Sequence, residues 1–176
     1  MSDLTPHWRR LCAGKQEGLA ALFRAYYSEM YHYALGMLND EASAKDAVQQ
    51  LFLKLWEKHA NLPSEAPPKP YLFRALRFAL VDELRLRQRT KMVDLSGTAS
   101  VFAWHPSVQY EPETKLRQAI QQLSATQQEI IFLRFYNQLS YSEIAEITSL
   151  QYQSVRNAAH RAIKKLRTFL KKDDFS

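Results

Sequence analysis

Apolar residues recur at three- and four-residue spacing through the first half of the chain, which is the pattern of amphipathic α-helices. This pattern predicts helices over residues 17–38, 41–62 and 71–89. The prolines of residues 63–70 lack amide donors and disfavour helical geometry before them, so they should separate the second helix from the third. Three helices with short connections predict one helical domain that ends near Met92.

The same spacing continues after residue 112. Pro112 is a favourable first helical residue, and a short apolar stripe follows it. Ser124 with Gln127 and Ser140 with Glu143 have the spacing of capping boxes, in which a hydroxyl and an N3 side chain satisfy free backbone amides. These signals predict helices that begin at Pro112, Ala125 and Tyr141, and a last helix over residues 152–171.

Residues 93–111 have no helical period and few charges, and they are longer than most connections in compact domains. Their aromatic residues, Phe102, Trp104 and Tyr110, are unusual for a free tether and indicate docking on another surface. We therefore predict an all-α protein of two small helical domains joined by a flexible linker. The predicted ranges are 1–92 for the first domain, 93–111 for the linker and 112–176 for the second domain.

Composition excludes several classes of protein. Of the 176 residues, 46% are hydrophobic, which is enough for a buried core, and only four are glycine. The sequence has no apolar run of membrane-spanning length and no apolar stretch typical of a secretion signal. Cys12 is the single cysteine and the histidines are scattered, so no intrachain disulfide or metal-binding motif is indicated. We expect a cytoplasmic protein without membrane insertion, metal or cofactor.

The positive charge is concentrated in two strips. The net charge is +6, and residues 69–91 carry seven Lys or Arg against two acids, whereas residues 152–172 carry seven and no acid. Two basic strips on a balanced background indicate contact with a polyanion at two places. The alternative is that both strips are ordinary solvated helix faces.

The last two predicted helices have the arrangement of a helix-turn-helix, in which the second helix enters a DNA major groove. Ala145 is small enough for a helix crossing, and Ser149 occupies the turn position that favours positive φ. Amide and guanidinium groups fit purine edges, whereas later Lys and Arg residues suit phosphates. An ordinary basic helix on a helical hairpin is the alternative. The residues predicted to face outward toward DNA are Gln153, Ser154, Arg156, Asn157, His160, Arg161 and Lys164.

The first strip interleaves aromatic and arginine residues. Rings that stack on unpaired bases and guanidiniums that hold the backbone are typical of single-stranded nucleic-acid binding. Phe78 is either a core residue or a base contact, and Tyr71, beside the proline-rich segment, is expected to be exposed. The alternative is that the apolar residues of this helix, with some of its aromatics, belong to the core.

The order of these segments resembles the extracytoplasmic-function (ECF) group of sigma factors, the smallest sigma subunits of bacterial RNA polymerase. "DAVQQLFLKLWEK" is similar to the family's segment that docks on the polymerase β′ clamp helices, and "YLFRALRFALVDELRLRQR" is similar to the segment that melts and binds the −10 promoter element. "LSATQQEIIFLRFYNQLSYSEIAEI" and "SVRNAAHRAIKKLRTFL" resemble sigma region 4, a helix-turn-helix (winged-helix-like) domain that reads the −35 element and contacts the β flap. The resemblance covers about residues 16–90 and 113–171.

The resemblance implies a role for residues of each segment. The clamp-docking positions would be Asp46, Gln49, Gln50, Phe52 and Trp56, the last two partly as core. The −10 positions would be Tyr71, Phe73, Arg74, Arg77, Asp82, Arg85, Arg87 and Arg89. The −35 positions are those already predicted to face outward on the last helix, and the linker would thread polymerase channels. The sequence departs from the family at Gln50, usually an acid, at Phe78, usually Asn, at Ser149, usually Gly, and at Gln151, a poor helix cap.

These inferences favour a promoter-specificity subunit rather than an enzyme. Its expected partners are core RNA polymerase, promoter DNA and an anti-sigma factor, the last from the resemblance alone. The alternative is a stand-alone helix-turn-helix regulator, which leaves the first strip and the surface from Asp46 to Lys54 unexplained. A helical enzyme is a third hypothesis, but the sequence offers no nucleophile–base pair, acid dyad or phosphate-binding glycine loop.

Overall fold

The computed structural model of the chain describes residues 3–91, 101–104 and 114–172, and it contains helices but no strands within these ranges. The chain forms two compact units, Met1–Met92 and Val93–Ser176. The first contains α1 (Thr5–Cys12), α2 (Gln16–Leu38), α3 (Glu41–Glu57) and α4 (Pro68–Lys91), with a 3-10 turn at His59–Asn61. The second contains α5 (Thr114–Gln121), α6 (Ala125–Ile131), a π-helical turn at Phe132–Tyr136, α7 (Tyr141–Thr148) and α8 (Tyr152–Lys172).

Helix α2 is the centre of the first unit and packs against α1, α3 and α4. Every residue from His32 to Leu38 is buried, so the end of this helix is surrounded on all sides. Asn39 ends α2 in the left-handed conformation, and the Asp40 carboxylate accepts a hydrogen bond from the Ser43 amide to begin α3. Asp40 is therefore the N-cap residue of α3.

Helix α1 was not predicted from the sequence. It is held by Trp8, which is fully buried, donates from its indole nitrogen to the Pro63 carbonyl at 2.8 Å and lies 4.9 Å from the Tyr71 ring. Arg9 adds an exposed ion pair with Glu65 at 2.7 Å. These contacts join α1 to the proline-rich segment that precedes α4.

Helix α4 begins three residues earlier than predicted, at Pro68 rather than Tyr71. Pro68 and Pro70 lie in its first turn, where backbone amides have no intrahelical acceptor and a missing donor costs nothing. The Tyr71 amide donates the first i to i−4 backbone hydrogen bond of this helix, to the Pro67 carbonyl. The prolines therefore begin this helix as well as end the preceding segment.

In the second unit, α8 packs against α5, α6 and α7. Both predicted capping boxes are present, with Ser124 and Gln127 at the start of α6 and Ser140 and Glu143 at the start of α7. Residues 101–104 of the predicted linker are also part of this unit, since Phe102 is buried against Phe132. Tyr110, the third aromatic residue of that segment, lies outside the described residues.

The helix predicted to begin at Ala125 is α-helical only to Ile131 and continues as the π-helical turn. The Asn137 amide donates to the Phe132 carbonyl at 3.2 Å, which is the wider bond of a π-helix. Gln138 then adopts a φ of 57°, and the Arg134 guanidinium donates to the Leu139 carbonyl at 3.0 Å. This irregular segment directs the chain into α7.

The turn between α7 and α8 contains Ser149 with a φ of 58°, in the left-handed conformation. The prediction that Ser149 occupies the positive-φ position of a helix-turn-helix is therefore confirmed. Residues 114–172 contain no strand. Within that range the domain is helical and contains the predicted helix-turn-helix.

Candidate nucleic-acid interface

The outer face of α8 is polar, basic and exposed. Because the buried side chains Val155, Ala158, Ala159 and Ala162 recur at helical spacing, the intervening positions face solvent. All seven residues predicted for this face are exposed: Gln153, Ser154, Arg156, Asn157, His160, Arg161 and Lys164. The helix thus presents amide and guanidinium groups in its first two turns and further cations toward its end.

The first turns of α8 hold their polar groups in a defined arrangement. The Gln153 side-chain nitrogen donates to the Asn157 side-chain oxygen at 3.0 Å. The Arg156 guanidinium lies 5.9 Å from the Tyr152 ring centroid, which favours one orientation of its long side chain. A linked Gln–Asn pair retains free N–H donors and a carbonyl acceptor, the groups that match the N6 and N7 atoms of adenine.

Two aromatic residues at this surface were missed by the sequence analysis. Tyr141 lines a shallow groove with Gln153, Arg156 and Asn157, and Tyr152 is exposed beneath Arg156. The Arg134 guanidinium lies 5.1 Å from the Tyr141 ring and so extends the cationic surface toward the π-helical turn. Both tyrosines lie at the first position of a helix, which is the signal that would have placed them at the helix-turn-helix surface.

The first strip is less uniform than predicted. Arg74 and Arg85 are exposed, and Phe78 is 69% exposed, so Phe78 is not a core residue. Phe73, in contrast, is 0% exposed and lies 5.6 Å from the buried Tyr33 ring. The assignment of Phe73 to a DNA-contacting position therefore does not fit this structure, because its ring is enclosed by the core of the first unit.

Several residues of the first strip are involved in internal contacts. The Arg87 guanidinium bonds with Glu83 on its own helix and with the Ser43 hydroxyl on α3. Lys69 pairs with Glu29 at 2.6 Å. These contacts join α4 to α2 and α3.

The remaining predicted positions on α4 range from half-buried to exposed. Tyr71 is half-buried rather than exposed, Arg77 is half-buried, and Asp82 is exposed at 3.6 Å from Arg85. The side chain of Arg89 lies outside the described residues. The exposed face of α4 is therefore formed by Arg74, Phe78, Asp82, Arg85 and Leu86.

Burial near the first turn of α4 also raises the pKa of a tyrosine, Tyr26. Tyr26 lies under the Lys69 ammonium, 5.9 Å from its ring centroid. Desolvation, with the nearby Glu29 carboxylate as a smaller cause, raises the pKa of Tyr26 to about 12. The Tyr26 hydroxyl is therefore even harder to ionise than that of a solvent-exposed tyrosine.

The predicted clamp-docking face on α3 is divided between solvent and core. Asp46, Gln49 and Gln50 are exposed in one stripe, which Leu53 extends with a side chain that is 55% exposed. Phe52 is buried and lies 5.0 Å from the Phe23 ring, while Trp56 is half-buried and stacks on His59 at 5.2 Å. Leu53 was missed, although its i, i+3 and i+4 spacing from Gln49 and Gln50 would have placed it on this face.

The described residues offer little for metal or thiol chemistry. They contain no group of three or more His, Cys, Asp or Glu side chains that would hold a metal ion. Burial raises the pKa of the Cys12 thiol, which keeps it protonated at neutral pH. Across the same ranges, none of the helices combines the length and the apolar character needed to cross a membrane.

Comparison with protein families matches the two units separately. The family model "Sigma-70 region 2" matches residues 22–90, and "Sigma-70, region 4" matches residues 113–166. The chain belongs to the sigma-70 family. Together the two matches cover more than half of this sigma factor, and they lie in the first and second compact units respectively.

Curated relatives of this sigma factor include members of the ECF group. It is 29% identical over 166 residues to the ECF RNA polymerase sigma factor SigL of Mycobacterium tuberculosis, with 90% of this chain and 94% of the relative covered. It is 27% identical over 148 residues to the RNA polymerase sigma factor SigV of Bacillus subtilis, with 84% and 88% covered. The predicted family and function are confirmed, and the stand-alone regulator is not favoured.

Solved structures share the fold. Bartonella quintana RpoE, solved in complex with the anti-sigma factor NepR, has a TM-score of 0.64 at 24% identity and covers 89% of this chain and 96% of its own. CnrH, solved in complex with the cytosolic domain of CnrY, also has a TM-score of 0.64, at 18% identity, with 98% and 99% covered. These structures support the all-α fold. The family matches and the curated relatives identify this sigma factor as an initiation factor that directs RNA polymerase to promoters, and proteins of this class are not enzymes.

Proposed function

We propose that this ECF sigma factor reads the −35 element with the exposed face of α8. The observation that carries this proposal is that amide and guanidinium side chains occupy one exposed face of a helix that follows a Ser149 turn and bears no acid. Gln153, Arg156 and Asn157 would contact base edges, and Arg161 and Lys164 would contact phosphates. Residues 112–176 would form this −35-reading domain.

The exposed face of α4 is proposed to bind the −10 element after its strands separate. Arg74 and Arg85 supply cations on either side of Phe78, whose ring is available to stack on an unpaired base. Arg87 and Phe73 would support this face through contacts within the first unit rather than touch DNA. Residues 1–92 would form the domain that melts and holds the −10 element.

The stripe on α3 is proposed to dock on the polymerase β′ clamp helices. An exposed Leu53 among Asp46, Gln49 and Gln50 gives an apolar centre with polar surroundings, which is the usual composition of a protein interface. Trp56, half-buried at the edge of this stripe, would contribute packing area. The second unit would contact the β flap, and residues 93–111 would connect the two domains. The protein would act where the polymerase acts, in the cytoplasm.

An anti-sigma factor is proposed as a second protein partner. Two structural neighbours were solved with such regulators, RpoE with NepR and CnrH with the cytosolic domain of CnrY. On this chain, Leu53, Phe78 and Leu86 are all more than half exposed and lie on surfaces proposed for polymerase or DNA. A regulator that covered these apolar side chains would block both activities at once.

The test is transcription in vitro by core RNA polymerase with and without the purified chain, followed by sequencing of the transcript 5′ ends. We expect new start sites with shared sequences near −10 and −35 and co-purification of the chain with the core enzyme. A stand-alone regulator would bind duplex DNA without retaining core polymerase. Failure of the chain to bind core polymerase, or start sites without a shared upstream sequence, would contradict the proposal.

A further inference from the structure

The segment Val101–Trp104 is packed into the second unit although it lies outside both family-model ranges, 22–90 and 113–166. Phe102 is 1% exposed, and its ring centroid lies 5.1 Å from that of Phe132. The Trp104 ring lies 5.0 Å from Phe132, nearly perpendicular to it, and 6.4 Å from Tyr136. Phe132 is itself fully buried, so the segment closes an aromatic cluster over α6 and the π-helical turn.

A polar contact fixes the register of the same segment. The Trp104 backbone amide donates to the side-chain oxygen of Gln128 at 3.0 Å, and the Gln128 side-chain nitrogen donates to the Leu123 carbonyl at 3.0 Å. Gln128 is buried, so removing the segment would leave its oxygen without this donor. Aromatic burial and the hydrogen bond therefore favour the same docked position.

We propose that Phe102 and Trp104 anchor the chain to the second unit and so shorten the tether between the two DNA-binding units. This inference rests on the proposed function. If the chain were free from Lys91 to Thr114, it could reach at most about 80 Å at full extension, whereas a chain fixed from Val101 onward could reach at most about 35 Å from Lys91. Phe102 and Trp104 are thus positioning residues that limit which separations of the −10 and −35 elements one chain can bridge.

The anchor is tested first in the free chain, by measuring distances between spin labels. The labels are placed on exposed positions of the two units with Glu57→Cys and Lys165→Cys in a Cys12→Ser background. A six-residue Gly-Ser insertion between Ser96 and Gly97 should extend the longest populated distances, by up to about 20 Å. The same insertion between Ser107 and Val108 should change nothing, because the anchor fixes the chain before it.

Substitutions at the anchor supply the matched controls. Phe102→Ala with Trp104→Ala should make the two insertions equivalent, because the whole segment is then free. Trp104→Phe should keep the difference between the two insertions, since it retains an aromatic ring and the backbone amide. The indole nitrogen that it removes has no hydrogen-bond partner among the described residues. An equal effect of both insertions in the unaltered anchor background would overturn the inference.

Transcription supplies the functional readout. On a promoter series that varies only the spacing of the two elements, the insertion before the anchor and the Ala double variant should both widen the accepted range of spacings. The insertion after the anchor should leave the range unchanged. A variant that only weakened folding would lower activity equally at every spacing, which would refute the positioning role. If the two insertions changed the spin-label distances differently but the chain failed to bind core polymerase, the anchor would be supported and the proposed function would be refuted.

Discussion

The outer face of α8 carries two kinds of side chain, amides suited to base edges and ammonium groups suited to phosphates. Asn157 is a short amide already bonded to Gln153, so little conformational freedom is lost when it meets a base. Lys164 and Lys165 are exposed ammonium groups on long chains, which attract phosphate without reading sequence. Specificity and affinity should therefore be separable by substitution on this one helix.

Asn157→Ala should weaken binding to the cognate −35 sequence by about 1–3 kcal/mol and have little effect on a scrambled sequence. The reason is that, under the proposed function, the amide it removes would bond to one base pair of the cognate element and would contribute nothing to other sequences. Holoenzyme binding to a panel of −35 variants measures the effect. A uniform loss across the panel would show that Asn157 does not read bases.

The combination Lys164→Gln with Lys165→Gln is the matched control on the same exposed face. It should weaken binding to every sequence of the panel by the same factor. It should also reduce the slope of log affinity against log salt concentration by about 0.9 for each phosphate that is no longer neutralised. Asn157→Ala should thus change the sequence dependence of DNA binding, whereas the double lysine variant should change its salt dependence.

The two phenylalanines of α4 mark where residue-scale prediction succeeds and fails. Phe73 lies three and seven residues before the buried Leu76 and Leu80, so helical spacing alone places it in the core. Phe78 lies two residues after Leu76, on the opposite side, and is exposed. The neighbouring arginines made both rings candidates for DNA contact, whereas their helical spacing from Leu76 and Leu80 shows that only Phe78 is exposed.

At the scale of elements, the crossing of α1 and α2 depends on Gly18. A Cβ at this position would overlap the His7 carbonyl oxygen and the Leu11 backbone nitrogen of α1. Because these are backbone atoms in a helix held by Trp8, they cannot move aside as a flexible side chain would. The glycine is therefore required by close packing and not by its own backbone conformation.

Gly18→Ala should destabilise the first unit by up to about 2 kcal/mol, because overpacking usually costs about 1–3 kcal/mol and the gain in helix propensity offsets part of that cost. Replacing glycine by alanine in a helix normally adds about 1 kcal/mol of stability, so the observed loss is the clash minus this gain. Denaturant unfolding monitored by circular dichroism measures it. Ala20→Gly, at an exposed position of the same helix, measures the difference in helix propensity between alanine and glycine. A Gly18→Ala protein that was more stable than the unaltered chain would contradict the close packing of α1 against Gly18.

Elements with local signals were predictable, and elements without them were not. The capping boxes at Ser124 and Ser140 need only two residues three positions apart, so both helix starts could be read from the sequence. Helix α1 has too few apolar positions to show a period, and its stability comes from Trp8 bonding to Pro63, far along the chain. The π-helical turn likewise has no local sequence signal.

At the scale of the whole molecule, each unit has its own core and its own exposed basic face. The sequence predicted this division because its helical periods and its two basic strips are separated by an aperiodic segment. It did not predict that Phe102 and Trp104 belong to the second unit, since their burial depends on a pocket formed by Phe132 and Tyr136. The partition of polar residues between DNA and internal contacts, as at Arg87, is likewise a tertiary property.

Two separate faces on one chain predict that promoter binding is bivalent. When core polymerase holds both units, binding at one element raises the effective concentration of the other face at its own element, a gain of about 10²–10⁴ in affinity. A duplex fragment carrying only the −35 element should therefore bind the holoenzyme at least about 10²-fold more weakly than the full promoter. Titration of labelled fragments by fluorescence anisotropy measures both affinities.

The variants then assign each face to its element. Arg74→Gln with Arg85→Gln should weaken binding to the full promoter and leave the −35 fragment unaffected, because both residues lie on the exposed face of α4. Lys164→Gln with Lys165→Gln should weaken binding to both DNAs, because α8 would contact duplex DNA in each case. If the α4 substitutions weakened the −35 fragment by the same factor as the full promoter, the basic strip of the first unit would be acting as a general attractor of DNA, and the assignment of the −10 element to that strip would be wrong.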